Sequence, residues 1–589
     1  MSLKLIASNI MKNKSITTNR VSSVVSVRAD FKSFGCCMGC RTEGERGKIK
    51  TVLYRLPWPL GHASVPYQRL KLPFGFSDVN SAHSLFIAAS SRSFSLTTNL
   101  LKNQEHIGQP EFPCVQQHHS RSANLMKLRD GTHSSAWNGV HYNIGTSKSS
   151  AHISEGPEPA YSNTTSGYKI YHHPDQFKLD YGQSLSSFDL AYETWGILSS
   201  AKDNVILLHT GLSASSHAKS HDFNKSLGWW EKFIGHGPNY PIDLDRYFVI
   251  CTNVLGSCYG STGPSSINPE TNEPYGTHFP IISIFDMVRA QFKLLDHLGI
   301  SKLFASVGSS MGGMQSIVTA WLEPQRVQRV VSISGCGRTG PSSIALRYAQ
   351  RSVLMSDPNW SNGFYYGKIP PHVGMKLARQ IATITYRSGP EWEQRFGRQR
   401  LHVEDVNSRK DVSRPVLCPD FLIESYLDHQ GEQFCLKYDA NSLIYISKAM
   451  DLFDMTQEGL EELNLFRSTK SEPQGDILNS NRNENLNTLK NAQQGTNDRI
   501  LSSLPNYEFQ VINSLAKTFE GLDKSQKFLI LGVQSDVLFP INLQRQLAES
   551  IRFSGNKNLI YYELDSPYGH DTFLIDLAGV GGAIRGFLS

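Results

Sequence analysis

In the stretch SVGSSMGGMQ, residues 306–315, a serine sits among glycines: Gly308, Ser310 and Gly312 read as G-x-S-x-G. The apolar run KLFASV precedes them and the helix-like MGGMQSIVTAW follows. A serine hydroxyl becomes a nucleophile at neutral pH only when an adjacent base takes its proton. A sharp strand-to-helix turn would project the Ser310 hydroxyl above a sheet, and glycines on both sides leave room for that turn. Such an elbow calls for an acid and then a histidine further along the chain. Asp536 in LILGVQSDVLFP and His570 in DSPYGHDTFL answer in that order, each just past a strand-like run. All three would share the rim formed by the carboxyl ends of a parallel sheet, where such sheets bind their ligands. There His570 would serve as base, and Asp536 would fix its tautomer and stabilise its charge. An oxyanion formed at Ser310 needs two backbone N–H donors. Those of Met311, directly after the serine, and Leu212, in the loop after NVILLHTG, are the expected pair.

The rest of the sequence has to place those groups. NVILLHTG (204–211), RYFVICTNVLG (246–256), KLFASVG, RVVSISG (329–335), KFLILGVQSD (527–536) and NLIYYELDS (558–566) are short apolar runs of the kind buried on both faces of a parallel sheet. Between Ile282 and Ile300, Val288, Phe292, Leu295 and Leu298 trace one helical stripe. Alternating strands and helices predict an α/β fold with a mostly parallel sheet flanked by helices. FKLDYG and FDLAYETWG read as an entering hairpin. The alternation stops near Arg338 and resumes after about residue 505, which divides the chain into a first core segment at 165–338, a helical insertion at 339–505, and a second core segment at 506–589. An Asn-rich polar stretch at 468–498 within the insertion is expected to loop out.

Charge is uneven. Residues 1–150 carry 19 Lys and Arg against 7 Asp and Glu, so the remainder of this +6 chain sums to −6. A nucleic-acid-binding body is not expected, and no apolar run is long enough to span a membrane. The first acidic residue is Asp30, after a serine-rich, basic stretch with an apolar stripe through Leu3, Ile6 and Ile10. That composition predicts a mitochondrial transit peptide, with 1–160 as leader and poorly ordered linker. Nine scattered cysteines imply no disulfide framework. The CCMGC cluster offers three thiolates without a fourth ligand, so no metal site is expected.

Three separated motifs resemble one family in order: SVGSSMGGMQ, TNVLGSCYGSTGPSSINP (252–269) and YGHDTFL (568–574). They are similar to the homoserine O-acetyltransferase family of α/β-hydrolase-fold acyltransferases, whose fold carries an inserted helical lid. The insertion text SIALRYAQRSVLMSDPNWSNGFYYGKIPPHVGMKLARQIATITYRSGPEWEQRFG resembles the fungal-type, often mitochondrial, serine O-acyltransferases of that family, whose product feeds cysteine synthesis. The resemblance implies a ping-pong reaction in which acyl-CoA, acetyl or succinyl, acylates the serine and the hydroxyl of a small amino acid takes the acyl group. Acyl-CoA is then a co-substrate, and no metal or prosthetic group is implied. It also implies that Arg379, Tyr386 and Asp571 hold the amino acid, with a guanidinium suited to clamp its carboxylate and Asp571 to pair with its ammonium. Members are often homodimers. L-Serine is the expected acceptor, with L-homoserine, and so methionine synthesis, the near alternative. Water as acceptor would make the chain an esterase, against which Arg379 and Asp571 argue.

Overall fold

The structure is a computed structural model that describes residues 165–401, 415, 417, 419–468 and 504–589. The basic leader, the CCMGC cluster and, beyond Ser468, the Asn-rich stretch lie outside the described residues. So does the targeting expectation that rests on the leader.

Runs such as VILLH and FVICT have no polar face, so they are satisfied only inside a sheet covered on both sides. They form β3 (Val205–His209) and β4 (Phe248–Thr252). The other strands of the central sheet are β1 (Lys169–His173), β2 (Phe188–Trp195), β5 (Ala305–Ser309), β6 (Arg329–Ile333), β7 (Lys527–Val533) and β8 (Leu559–Leu564). Their spatial order is β1-β2-β4-β3-β5-β6-β7-β8. Only β2 runs against its neighbours, and the pairs from β4 onward are parallel.

The pleat sends successive side chains to opposite faces. Leu207 joins the apolar cluster on one face, while Ile206 and Leu208 join the cluster on the other. The first face is covered by α1 (Ile284–His297) and α2 (Met311–Leu322). The stripe of Val288, Phe292 and Leu295 is buried there as its spacing predicts. Ser283 opens α1 with a capping box: its hydroxyl accepts the Asp286 N–H, and Asp286 accepts the Ser283 N–H.

The entering hairpin differs from expectation. β2 pairs not with FKLDYG but with the earlier KIYHH segment, in the register Lys169↔Tyr192 to His173↔Phe188. Phe177–Lys178 instead folds back on Ser184–Leu185. A tight turn closes that small loop, with Leu179 N–H donating to Gln183 O at 2.8 Å and Gly182 at φ 86°. β1 escaped notice because an edge strand with an exposed face carries mostly polar side chains.

The insertion holds α3 (Pro341–Met355), α4 (His372–Tyr386), α5 (Gly389–Arg395), α6 (Leu422–Cys435), α7 (Ala440–Asp451) and α8 (Gln457–Ser468). Leu354, Met375, Ala378 and Cys435 knit α3, α4 and α6 into a separate apolar cluster, the lid proper. Ile446 and Met450 of α7 and Leu463 of α8 belong instead to the main core. The chain therefore returns to the sheet well before residue 505. It then adds α9 (Leu504–Phe519), α10 (Ile541–Phe553) and α11 (Gly582–Leu588) to the body.

Backbone meets backbone at the G-x-S-x-G turn. A Cβ on Gly308 would sit 2.1 Å from Gly312 O, and one on Gly312 would sit 2.5 Å from His209 O. Both obstacles are backbone and cannot swing aside. Gly308→Ala or Gly312→Ala is therefore expected to cost on the order of 3 kcal/mol, to be read as a lowered urea midpoint against Gly586→Ala, whose Cβ would meet open space.

Candidate active site

Ser310 occupies the turn between β5 and α2 with φ 59° and ψ −125°. An L-residue held there costs about 1–3 kcal/mol and persists only where its surroundings enforce it. Here the Ser310 N–H donates to Ile333 O at the end of β6, at 2.8 Å, while the glycines let β3 and α2 close in.

His570 and Asp536 follow β8 and β7 on the same rim. His570 Nδ1–H donates to Asp536 Oδ2 at 2.6 Å, and the Ser310 hydroxyl donates to His570 Nε2 at 2.8 Å. The other Asp536 oxygen accepts the Phe539 N–H at 2.8 Å. The Phe539 ring stacks on the imidazole, with centroids 5.1 Å apart and planes 11° apart, while Phe573 meets it edge-on. The side chains of Ser310, Asp536 and His570 are all at most 7% exposed. The imidazole thus has one tautomer, one orientation and a hydroxyl in reach, a geometry able to draw the proton from Ser310 as the oxygen attacks a carbonyl. Met311 is the first residue of α2, where backbone N–H groups have no partner within the helix. Gly211 and Leu212 line the cavity beside Ser310.

That cavity, about 360 Å³, lies between the sheet rim and the lid. Arg379, Tyr386 and Asp571 all face it, so the structure brings the residues expected at the amino-acid site to the same space as Ser310 and His570. Among the described residues Arg379 pairs with no carboxylate. Its guanidinium lies 4.4 Å from the Phe434 ring centroid and 5.1 Å from that of Tyr386. Asp571 is already paired, to Arg387 Nη2 at 3.0 Å. Burial pushes the Asp571 carboxyl above its usual range, against the opposing pull of Arg387, His570 and Arg379.

Two arginines at this site were missed. Arg387 bridges Asp571 and Glu391 and ties the end of α4 to the histidine loop. The same seam holds a Ser388 hydroxyl donating to Pro567 O and a Gly569 at φ 61°, where a Cβ would sit 2.9 Å from Tyr386 O. Arg347, on α3, is 2% exposed and lines the cavity. Its Nε donates to Asp451 Oδ1 at 2.6 Å, but Nη1 and Nη2 are buried with no hydrogen-bond partner among the described residues. The i, i+4 spacing of Arg347 and Arg351 was a legible sign of a shared charged face. Their common partner Asp451, about a hundred residues on, was not.

A model of the α/β-hydrolase fold family matches residues 204–577. Over 456 residues the chain is 53% identical to a serine O-succinyltransferase of Emericella nidulans, covering 74% of this chain and 84% of that one. Over 422 residues it is 37% identical to a homoserine O-acetyltransferase of Moorella thermoacetica, covering 71% of this chain and 95% of that one. The crystal structure of esterase E22 superposes with a TM-score of 0.56 at 25% identity, over 72% of this chain and all of that one.

The two adjacent serines differ, for the Ser310 hydroxyl bonds to His570 while the buried Ser309 hydroxyl has no hydrogen-bond partner among the described residues. Phenylmethylsulfonyl fluoride is expected to add one mass increment, abolished by Ser310→Ala and retained by Ser309→Ala, as read by intact-mass spectrometry.

Proposed function

Because this chain belongs to the family of serine O-succinyltransferases and homoserine O-acetyltransferases built on the α/β-hydrolase fold, and is an O-acyltransferase, we propose that it moves a succinyl group from succinyl-CoA to the hydroxyl of L-serine. In this reading Ser310 Oγ attacks the thioester carbonyl as its proton passes to His570 Nε2, and Asp536 steadies the imidazolium. The N–H groups of Leu212 and Met311 receive the oxyanion. Collapse breaks the C–S bond, and CoA leaves with the proton from His570. The serine hydroxyl then gives its proton to His570 and attacks the acyl-enzyme carbonyl. The C–O bond to Ser310 breaks, and the proton returns to Ser310. Acyl-CoA is a co-substrate throughout. Targeting to mitochondria, read from the leader, belongs to the same proposal.

The observation that carries the choice of donor is Arg347. Arg347 lines the cavity, and its buried Nη1 and Nη2 have no hydrogen-bond partner among the described residues; such a cation favours a ligand with its own carboxylate. An acetyl group carries no charge to meet that cation, whereas the distal carboxylate of a succinyl group does. Arg379, paired with no carboxylate among the described residues and facing the same space, supports an acceptor with an α-carboxylate, and Asp571 supports one with an ammonium. A simple ester has neither charge, which distinguishes this site from that of an esterase.

The test is CoA release from succinyl-CoA or acetyl-CoA with L-serine, L-homoserine or neither. Succinyl-CoA with L-serine is expected to give the highest kcat/KM; equal release with and without an amino acid would mean hydrolysis and overturn the proposal. Arg347→Leu is expected to lower kcat/KM for succinyl-CoA by about 30- to 150-fold, the equivalent of about 2–3 kcal/mol for a charge-assisted contact, while acetyl-CoA changes far less. Asp571→Asn is expected to raise KM for L-serine and to leave the first burst of CoA at the wild-type rate.

A further inference from the structure

A buried carboxylate that the reaction does not use gathers two imidazoles. Glu193, on β2 and 2% exposed, accepts on Oε2 from His217 Nδ1 at 2.8 Å and from His221 Nε2 at 2.6 Å. Its Oε1 accepts the Ser216 hydroxyl at 2.8 Å. The remaining ring nitrogens dictate where the protons are. His217 Nε2 reaches Ser226 O at 2.9 Å, and a carbonyl can only accept, so both His217 nitrogens carry protons and the ring is a cation. His221 Nδ1 accepts the Phe223 N–H at 3.2 Å, so that ring is neutral. Burial opposes the His217 charge, but hydrogen bonds to Glu193 and Ser226 outweigh it and raise the His217 pKa.

These side chains also converge as metal ligands would. A metal on His221 Nε2 would, however, leave that ring without any proton, because Nδ1 already accepts an N–H; an imidazolate is an improbable structural ligand, and the donor set fits protons better. The other titratable groups facing His217 are Glu231, paired with Lys219 at 2.8 Å, and His221. Cys251, opposite Glu193 on β4, has a buried thiol held neutral by burial.

Ser216 and His217 lie in the loop that leaves β3 and lines the cavity from Gly211 to Ala214. Trp229, on the same wall, hangs from that loop through Nε1–H to Ser215 O at 3.0 Å and N–H to His217 O at 3.2 Å. Upstream, Gln315 donates to Thr210 O at 3.0 Å and Tyr438 to Leu212 O at 2.8 Å. We propose that Glu193, through charged His217 and through Ser216, is a positioning residue that fixes this loop so that the Leu212 N–H meets the developing oxyanion. The inference rests on the reading of Ser310 as nucleophile given above.

Glu193→Gln keeps the shape and one acceptor oxygen while removing the charge. In the full chain, single-turnover release of CoA from succinyl-CoA is expected to slow by about ten- to a hundredfold, up to the loss of one oxyanion donor, with KM for succinyl-CoA little changed. Wild-type acylation should decline as pH rises through the raised His217 pKa, and in Glu193→Gln that decline should move to lower pH because the anchoring anion is gone. Ser216→Ala should slow the same step less and leave the pH limb in place. A folded Glu193→Gln, judged by circular dichroism, that acylates at the wild-type rate or changes only in KM would overturn the proposal. So would a stoichiometric metal ion whose chelation stops acylation. If Glu193→Gln fails to fold, His217→Gln is read instead, with the same slowing of acylation expected and the alkaline decline lost, and wild-type acylation or an effect on KM alone overturning the proposal. Persistent acylation in Ser310→Ala would instead sink the underlying reading, so the two failures are distinguishable.

Discussion

The whole arrangement depends on one backbone turn held where an ordinary residue does not rest. Ser310 at φ 59° sets the serine oxygen above the sheet, and it stays there because β3, β6 and α2 approach too closely to allow another path. The Ile333 carbonyl anchors its N–H, and Gly308 and Gly312 give up side chains so that backbone can meet backbone. The buried strands on both faces supply the rigidity that over-determines this strain. An elbow on a softer scaffold would relax, and the hydroxyl would leave the imidazole.

Around that turn the lid contributes charge. Arg347, Arg379 and Arg387 all reach one cavity from lid helices or their ends, and each is treated differently. Arg387 is consumed by carboxylates of the protein, Arg379 rests on aromatic faces, and Arg347 keeps one edge bonded to Asp451 and the other unused. In a buried space an unmatched guanidinium edge is costly until a ligand meets it. In the proposed reaction the sheet rim carries Ser310, Asp536 and His570, and the lid helices bring the arginines that face the cavity.

Much of this was legible in the amino-acid order because its causes are local. Gly308, Ser310 and Gly312 are neighbours, and the runs around VILLH, ASVGS and LILGV announce buried strands by composition alone. Asp536 and His570 could be found because each comes shortly after such a run. What stayed hidden is pairing over distance: β1 with β2 across a polar edge, Arg347 with Asp451, Arg387 with Asp571, and Glu193 with two histidines more than twenty residues on. No periodicity records which carboxylate a given cation will find. The place where the lid ends and the body resumes was obscured for the same reason, since α7 is apolar on the face it gives to the main core, just as a lid helix would be on its own.

The seam between α4 and the histidine loop has a mechanical corollary. Gly569 lets the backbone of Tyr386 and Arg387 lie directly against the loop, and Ser388 is bonded across to Pro567. Any hinge that swung α4 outward would drag on the segment holding His570 and Asp571 and spoil proton transfer and acceptor recognition together. Traffic in and out of the cavity must therefore pass elsewhere along the rim, so that in the proposed two-step reaction donor and acceptor would exchange while this joint stays shut and His570 stays aligned.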